Sequence, residues 1–307
     1  MLKRLVVVCV VSVVAWAGVG SARAQETMAA RVRVAVLDFG ATETGQRAAE
    51  VLSKGAASER PFELVDREQA RAAARGAGYA GSLNMTLNEA RDLASAIGCD
   101  YFVTGDAETL RRSSSARPLY YESYASVFLV SGRTGRLVLW RRLSEEAESH
   151  DAAERLLLDA LGRSELLRDA RAGMLKAEAD ERLQHERARR DPDDAPFQDE
   201  PEEGSPAASA YRPPQPFRRI RPAYTEAAAQ AGAEATVDVS VAIDAQGEVR
   251  HVEIVRWAGY GLDESVIETV KRLHFRPAAR DGEPFPIRVL LRYNFRRPPK
   301  TKEDARP

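Results

Sequence analysis

Only 2 cysteines and 4 histidines occur among the 307 residues. So few thiols exclude a disulfide scaffold, and no Cys/His cluster has the spacing of a structural zinc site. A charge excess is also missing: 45 Lys and Arg stand against 46 Asp and Glu, a net charge of −1. That balance removes the electrostatic case for nucleic-acid binding. No apolar run reaches the ~20 residues of a permanent membrane span. What is present is a 44% apolar fraction, enough for real cores. The length suggests two domains at ~100–200 residues each.

The longest apolar run, Leu5 to Val19, follows the basic start Met1-Leu2-Lys3-Arg4 and precedes Ala22-Arg23-Ala24. That order predicts a secretory signal peptide over residues 1–24. Counting Gly20, Ser21 and Ala22 lengthens the run to 18, so an uncleaved anchor is the alternative. Cleavage would leave 42 basic and 46 acidic residues and a single cysteine, Cys99. One thiol forms no internal disulfide, which suits a compact envelope domain. Between a helical and a strand pattern, with no neighbouring His, Lys or Arg, Cys99 reads as a small buried hydrophobe.

Alternation at Val32, Val34 and Val36 predicts a strand, with a helix over 43–57 and a second strand over 61–65. An Ala-rich helix is expected from Asp66 to Arg75. Thr86-Leu87-Asn88-Glu89 has the capping-box pattern, and Gly98 is placed to end that helix. Tyr101 to Gly105 reads as a buried strand, and Gly132-Arg133-Thr134-Gly135 as the turn of a hairpin. Residues 151–190 are helical in character and highly charged, with i,i+4 pairs such as Glu178/Arg182. The composition then changes. Eight of the 16 prolines lie in 191–222, and residues 191–206 hold seven acidic and no basic groups. This predicts a disordered, extended linker over 191–217.

The last ~85 residues form a second unit. Val237, Val239, Val241 and Ile243 alternate with polar residues, Asp244-Ala245-Gln246-Gly247 is a turn sequence, and Val249 to Arg256 returns. A helix stripe follows at Leu262, Val266 and Val270. Phe285, Ile287, Val289, Leu291, Tyr293 and Phe295 then alternate over a long last strand.

The carboxy-terminal unit resembles the TonB carboxy-terminal domain family over roughly residues 218–296. The resemblance rests on Pro222-Ala223-Tyr224, Gly232, Gly247-Glu248-Val249, Val252-Glu253-Ile254-Val255, Leu262-Asp263, Phe275-Arg276-Pro277-Ala278 and Gly282-Glu283-Pro284. Thr225 stands where the family usually has Pro, and Leu273 where Trp is common. The first unit, about 31–150, looks like the α/β domain of curli-secretion-channel (CsgG-type) and TolB amino-terminal proteins. It does so through Val34 to Phe39, Phe62 to Arg67, Ala96 to Gly105 and Thr134-Gly135. Neither membrane hairpins nor a lipidated Cys accompanies that likeness.

Little chemistry is signalled. Gly76-Ala77-Gly78-Tyr79-Ala80-Gly81 fits G-x-G-x-x-G, but it follows a helix instead of a strand, so loop glycines are expected. His150, His185, His251 and His274 are scattered and make no metal pair or triad. Asp38 and Asp66 sit at strand ends, where turn capping is the expected role. Asn84-Met85-Thr86 matches a glycosylation sequon and is read as the segment starting a helix.

The prediction is therefore an α+β fold in two domains. The first is a sandwich-like α/β unit with a mixed sheet and a charged helix over 151–190. The second is an antiparallel sheet with two helices, followed by a basic tail over 297–307. No catalytic, cofactor or metal site is expected. The resemblance implies a non-enzymatic periplasmic protein that binds an envelope partner, such as an outer-membrane transporter segment, by adding a strand to Val289, Leu290, Leu291, Arg292, Tyr293 and Asn294. Pro222, Tyr224, Gly232, Gly247, Phe275 and Pro277 are its structural positions. The alternatives are an inner-membrane-anchored energy transducer and an enzyme in the first unit.

Overall fold

In the computed structural model residues 32–58, 62–190, 197–202 and 204–297 are described. The expected signal segment (1–24), the first part of the expected linker (191–196) and the tail beyond Arg297 lie outside the described residues.

The first unit runs β1 (Val32–Val36), α1 (Glu43–Ser58), β2 (Phe62–Leu64), α2 (Arg67–Gly76), α3 (Leu87–Ile97), β3 (Tyr101–Arg112), β4 (Tyr120–Ser131), β5 (Leu137–Ala147), α4 (His150–Leu161) and α5 (Ser164–Arg190). Its sheet has the order β2-β1-β3-β4-β5. The β1 strand is parallel to β2 and β3, whereas β3, β4 and β5 form an antiparallel meander, so the sheet is mixed. Local chemistry sets the helix ends. Asp66 accepts from the Gln69 amide at 2.9 Å and starts α2. Thr86 and Glu89 close a reciprocal capping box on α3, and Gly98 ends it in the left-handed conformation.

Alternation along the strands divides the core. Val36, Val127 and Phe39 pack against Ala48 and Leu52 of α1 and Leu157 and Leu161 of α4. Ala35, Phe102, Phe128 and Val130 face α2 and α3. The charged stretch expected as one helix is two. Gly162 closes α4 with its amide on the Leu158 carbonyl, and α5 starts afresh. Met174 of α5 is buried with Val34, Tyr101 and Leu129, which anchors the helix across the sheet.

The expectation of a disordered linker is corrected over its described part. Residues 197–202 and 204–217 contain β6 (Gln198–Asp199), the short turn α6 (Pro206–Ser209), β7 (Tyr211–Arg212) and β8 (Gln215–Pro216). The second unit adds α7 (Glu226–Ala231), β9 (Ala235–Ile243), β10 (Val249–Arg256), α8 (Leu262–Lys271), β11 (Phe275–Arg276), β12 (Ala279–Arg280), β13 (Glu283–Pro284) and β14 (Ile287–Phe295). The β7 strand pairs with β12 and β8 with β11, while β6 joins the main sheet, ordered β10-β9-β14-β6. The reason is backbone accounting. Proline and acidic content disfavours a core of the segment's own, but its amides can still complete the open ladders of a neighbouring unit.

The two units share one apolar cluster. Trp257, 1% exposed, stacks on Phe128 with ring centroids 5.9 Å apart, and Tyr260 meets Phe128 edge-on at 5.4 Å. Trp257 Nε1 donates to the Gly135 carbonyl at 3.0 Å. The Asn84 amide donates to the carbonyls of Thr236 (2.8 Å) and Trp257 (2.6 Å) and accepts from the Thr236 amide (3.0 Å). Two glycines permit this approach. A Cβ on Gly135 would run into the Leu87 carbonyl, and one on Gly259 into the Phe128 ring. Both also have positive φ, which an L side chain rarely adopts.

Candidate partner-binding edge

The last strand pairs antiparallel with β9 along its whole length, from Ile287↔Ile243 to Phe295↔Ala235. Its other side is paired only at the start, where β6 lies parallel with Gln198 on Ile287 and Asp199 on Arg288. Beyond Arg288 no described strand pairs with this side.

The direction of the free groups follows from one bond. The Gln198 amide donates to the Pro286 carbonyl at 3.3 Å, so residue 286 points its peptide groups outward. Successive residues of a strand point their N–H and C=O groups to opposite sides. The outward set is therefore Arg288, Leu290, Arg292 and Asn294, while Val289, Leu291, Tyr293 and Phe295 bond to β9. Side chains alternate in the other dimension. Ile287, Val289 and Phe295 are buried in the shared apolar cluster, whereas Leu290 is 54% exposed.

A groove of about 380 Å³ runs along this edge. One wall is β14 from Val289 to Tyr293 with Leu273 and Phe275 behind it. The other is the chain from Pro213 to Arg221. Arg218, Arg219 and Arg221 on this second wall line the groove. The start of the basic tail does not cover the edge: the Arg297 guanidinium lies beside Gly232, at the end of α7.

Charge behind the strand is satisfied. Asp238, 3% exposed, accepts from Arg292 at 2.7 Å and from Arg256 at 3.3 Å. Hydrogen bonding from Arg292 holds its carboxyl below the usual aspartate value. Asp263 accepts from the Ala258 and Gly259 amides at 2.9 and 2.7 Å, and burial pushes it up to about 7. It thereby folds the loop that carries Trp257 and Tyr260.

The residues singled out as structural positions have the following surroundings. Tyr224 donates to the carbonyls of Ala228 and Ala233, at 3.1 and 2.8 Å. Gly232 ends α7 with φ +61, and the Gly247 carbonyl accepts from the Phe275 amide at 2.9 Å. Phe275 is buried, with Pro222 and Pro277 half-buried. Thr225, in place of the usual proline, caps α7 and donates to the Tyr260 carbonyl at 2.5 Å. Sequence reasoning missed the contact between the units. Its signal is Trp257-Ala258-Gly259-Tyr260-Gly261, two large aromatics between glycines outside any alternation.

The remaining candidates hold the fold. Asp38 pairs with Arg71 at 2.6 Å and with Arg67 at 3.2 Å. Cys99 is half-buried, and burial raises its thiol to about 12. Gly76 ends α2, and Gly78 and Gly81 have positive φ in the loop that follows. Among the described residues no group of His, Cys, Asp and Glu is placed to hold a metal, and no helix is long and apolar enough to cross a membrane. A second groove, about 420 Å³, lies between the units, lined by β5 and β10.

A hypothetical protein from Chlamydia trachomatis is 15% identical, covering 47% of this chain and 99% of its own, with a TM-score of 0.35. The Pseudomonas aeruginosa TonB carboxy-terminal domain is 19% identical over 29% of this chain and 90% of its own, TM-score 0.25. The LpoB carboxy-terminal domain from Salmonella enterica is 17% identical over 37% and 82%, TM-score 0.28. A search of curated proteins finds no match. It is residues 220–296, the unit that carries β14 and its groove, that match the family described as the Gram-negative bacterial TonB protein C-terminal.

Proposed function

We propose that this chain is a non-enzymatic envelope protein of the periplasm that holds a partner protein by adding the partner's extended segment to the open side of β14. The observation that carries the reading is the unpaired edge of β14 beyond Arg288, within a unit matching the TonB carboxy-terminal family. An unpaired edge offers a ladder of donors and acceptors, and the flanking groove gives side chains of an incoming strand somewhere to go. Val289, Leu290, Leu291, Arg292, Tyr293 and Asn294 form the acceptor strand, in which Leu290, Arg292 and Asn294 supply the backbone bonds. The partner is a second envelope protein, with an outer-membrane transporter segment as one case. Docking of the first unit through Trp257 holds β14 in a fixed orientation, so that unit acts as a mount.

The test is site-specific photocrosslinking in cells that export the chain, with the crosslinker at Leu290 or, as a control, at the exposed Glu268. A discrete adduct at Leu290 that is absent at Glu268 and lost on adding Asn294→Pro supports strand addition. Equal adducts at both positions, or an adduct that survives the proline, contradict it.

A further inference from the structure

We infer that the β14 groove selects an acidic extended segment, one whose carboxylates face the arginines of its outer wall. This rests on the strand-addition reading and adds the chemistry of the occupant. Three observations converge. Arg218, Arg219 and Arg221 all line one wall and are exposed, and none has an ion-pair or hydrogen-bond partner among the described residues. Elsewhere in this unit the arginines facing the sheet are matched: Arg250 with Asp244, Arg256 and Arg292 with Asp238. The groove therefore concentrates uncompensated positive charge, opposed on its lining only by Glu200.

The chain's own β6 shows the geometry in miniature. It is a short acidic strand on the same side of β14, and its Asp199 lies 3.6 Å from Arg288. The pairing stops at Asp199, two residues before Pro201. From Leu290 onward the edge is left to another strand.

Apolar surface supplies the rest of the specificity. The large hydrophobic side chains exposed in this unit are Phe217, Ile220 and Leu290, all on or next to the groove. An occupant that alternates acidic and β-branched residues would set its carboxylates toward the arginine wall and its apolar side chains on the opposite face, over Leu290. Charge across an interface of this kind sets selectivity more than total affinity.

The experiment uses the full-length chain and three synthetic eight-residue peptides: alternating Val-Asp, Val-Ser and Val-Lys. Binding is read by fluorescence anisotropy and by the amide resonances of Leu290 and Asn294. The expected result is that Val-Asp binds about tenfold tighter than Val-Ser, with Val-Lys weakest. The gap should close as salt rises, because exposed charges are screened. Replacing the three exposed arginines together (Arg218→Glu, Arg219→Glu, Arg221→Glu) should reverse the order, with the circular dichroism spectrum unchanged. Equal affinity of the three peptides, with the edge amides perturbed, overturns the acidic preference and leaves strand addition standing. No binding by any peptide overturns both.

Discussion

The side-chain amide of Asn84 and the backbone of Thr236 form a reciprocal pair: Nδ2 donates to the Thr236 carbonyl at 2.8 Å, and Oδ1 accepts from its amide at 3.0 Å. Thr236 opens β9, the strand against which β14 is laid, so this pair ties the binding sheet to the first unit. It also occupies the nitrogen that a glycan would need, so the Asn84-Met85-Thr86 sequon is structural in the folded chain.

Asn84→Ala removes three hydrogen bonds and strands a part-buried amide and two carbonyls. The expected cost is about 2–3 kcal/mol, read by urea denaturation. Tryptophan fluorescence should shift red as Trp257 gains water.

Trp257 separates packing from hydrogen bonding. Trp257→Ala should cost about 3–5 kcal/mol, as for other buried aromatic truncations. Trp257→Phe keeps a ring on Phe128 and loses only the bond to the Gly135 carbonyl, for about 1 kcal/mol. Equal losses in both variants would mean that the bond, not the ring, joins the units.

Asp238 predicts an acid limb. Its carboxyl is held below the ordinary 3.8 in the fold, first by hydrogen bonding from Arg292. The unfolded chain then binds the proton more readily, so the stabilisation is complete above about pH 4 and is lost as pH falls through the lowered value. In Asp238→Asn this part of the pH dependence should vanish, with a loss of about 2 kcal/mol at pH 7. Denaturation midpoints between pH 2 and 7 check it.

Cys99 should be inert in the fold. Burial and then Asp100 raise its thiol to about 12, so almost no thiolate exists at pH 8. Labelling by a thiol-specific disulfide reagent at pH 8 should be slow in buffer and fast in denaturant. Fast labelling of native protein would contradict the packing around α3.

These residues also mark how far the sequence is legible. Thr86 and Glu89, Gly98, Asp66 and the Val237–Ile243 alternation each write a local rule, and each becomes the element it implies. The acidic edge segment and the Trp257 loop do not. Gln198 and Asp199 become a strand only because β14 offers them an open ladder, and Trp257 is buried by Phe128, 129 residues earlier in the chain. Contacts of that range leave no period in the sequence. Nothing local in the sequence places Arg218, Arg219 and Arg221 beside β14; only the fold brings them there.

Amide hydrogen exchange along β14 tests the central claim most directly. In the free chain Leu290, Arg292 and Asn294 should exchange at least about tenfold faster than Leu291 and Tyr293, whose amides face β9. Adding the Val-Asp peptide should slow the first set and leave the second unchanged. Uniform slow exchange along the strand before any peptide is added would mean that the edge is already closed, and would contradict strand addition at β14.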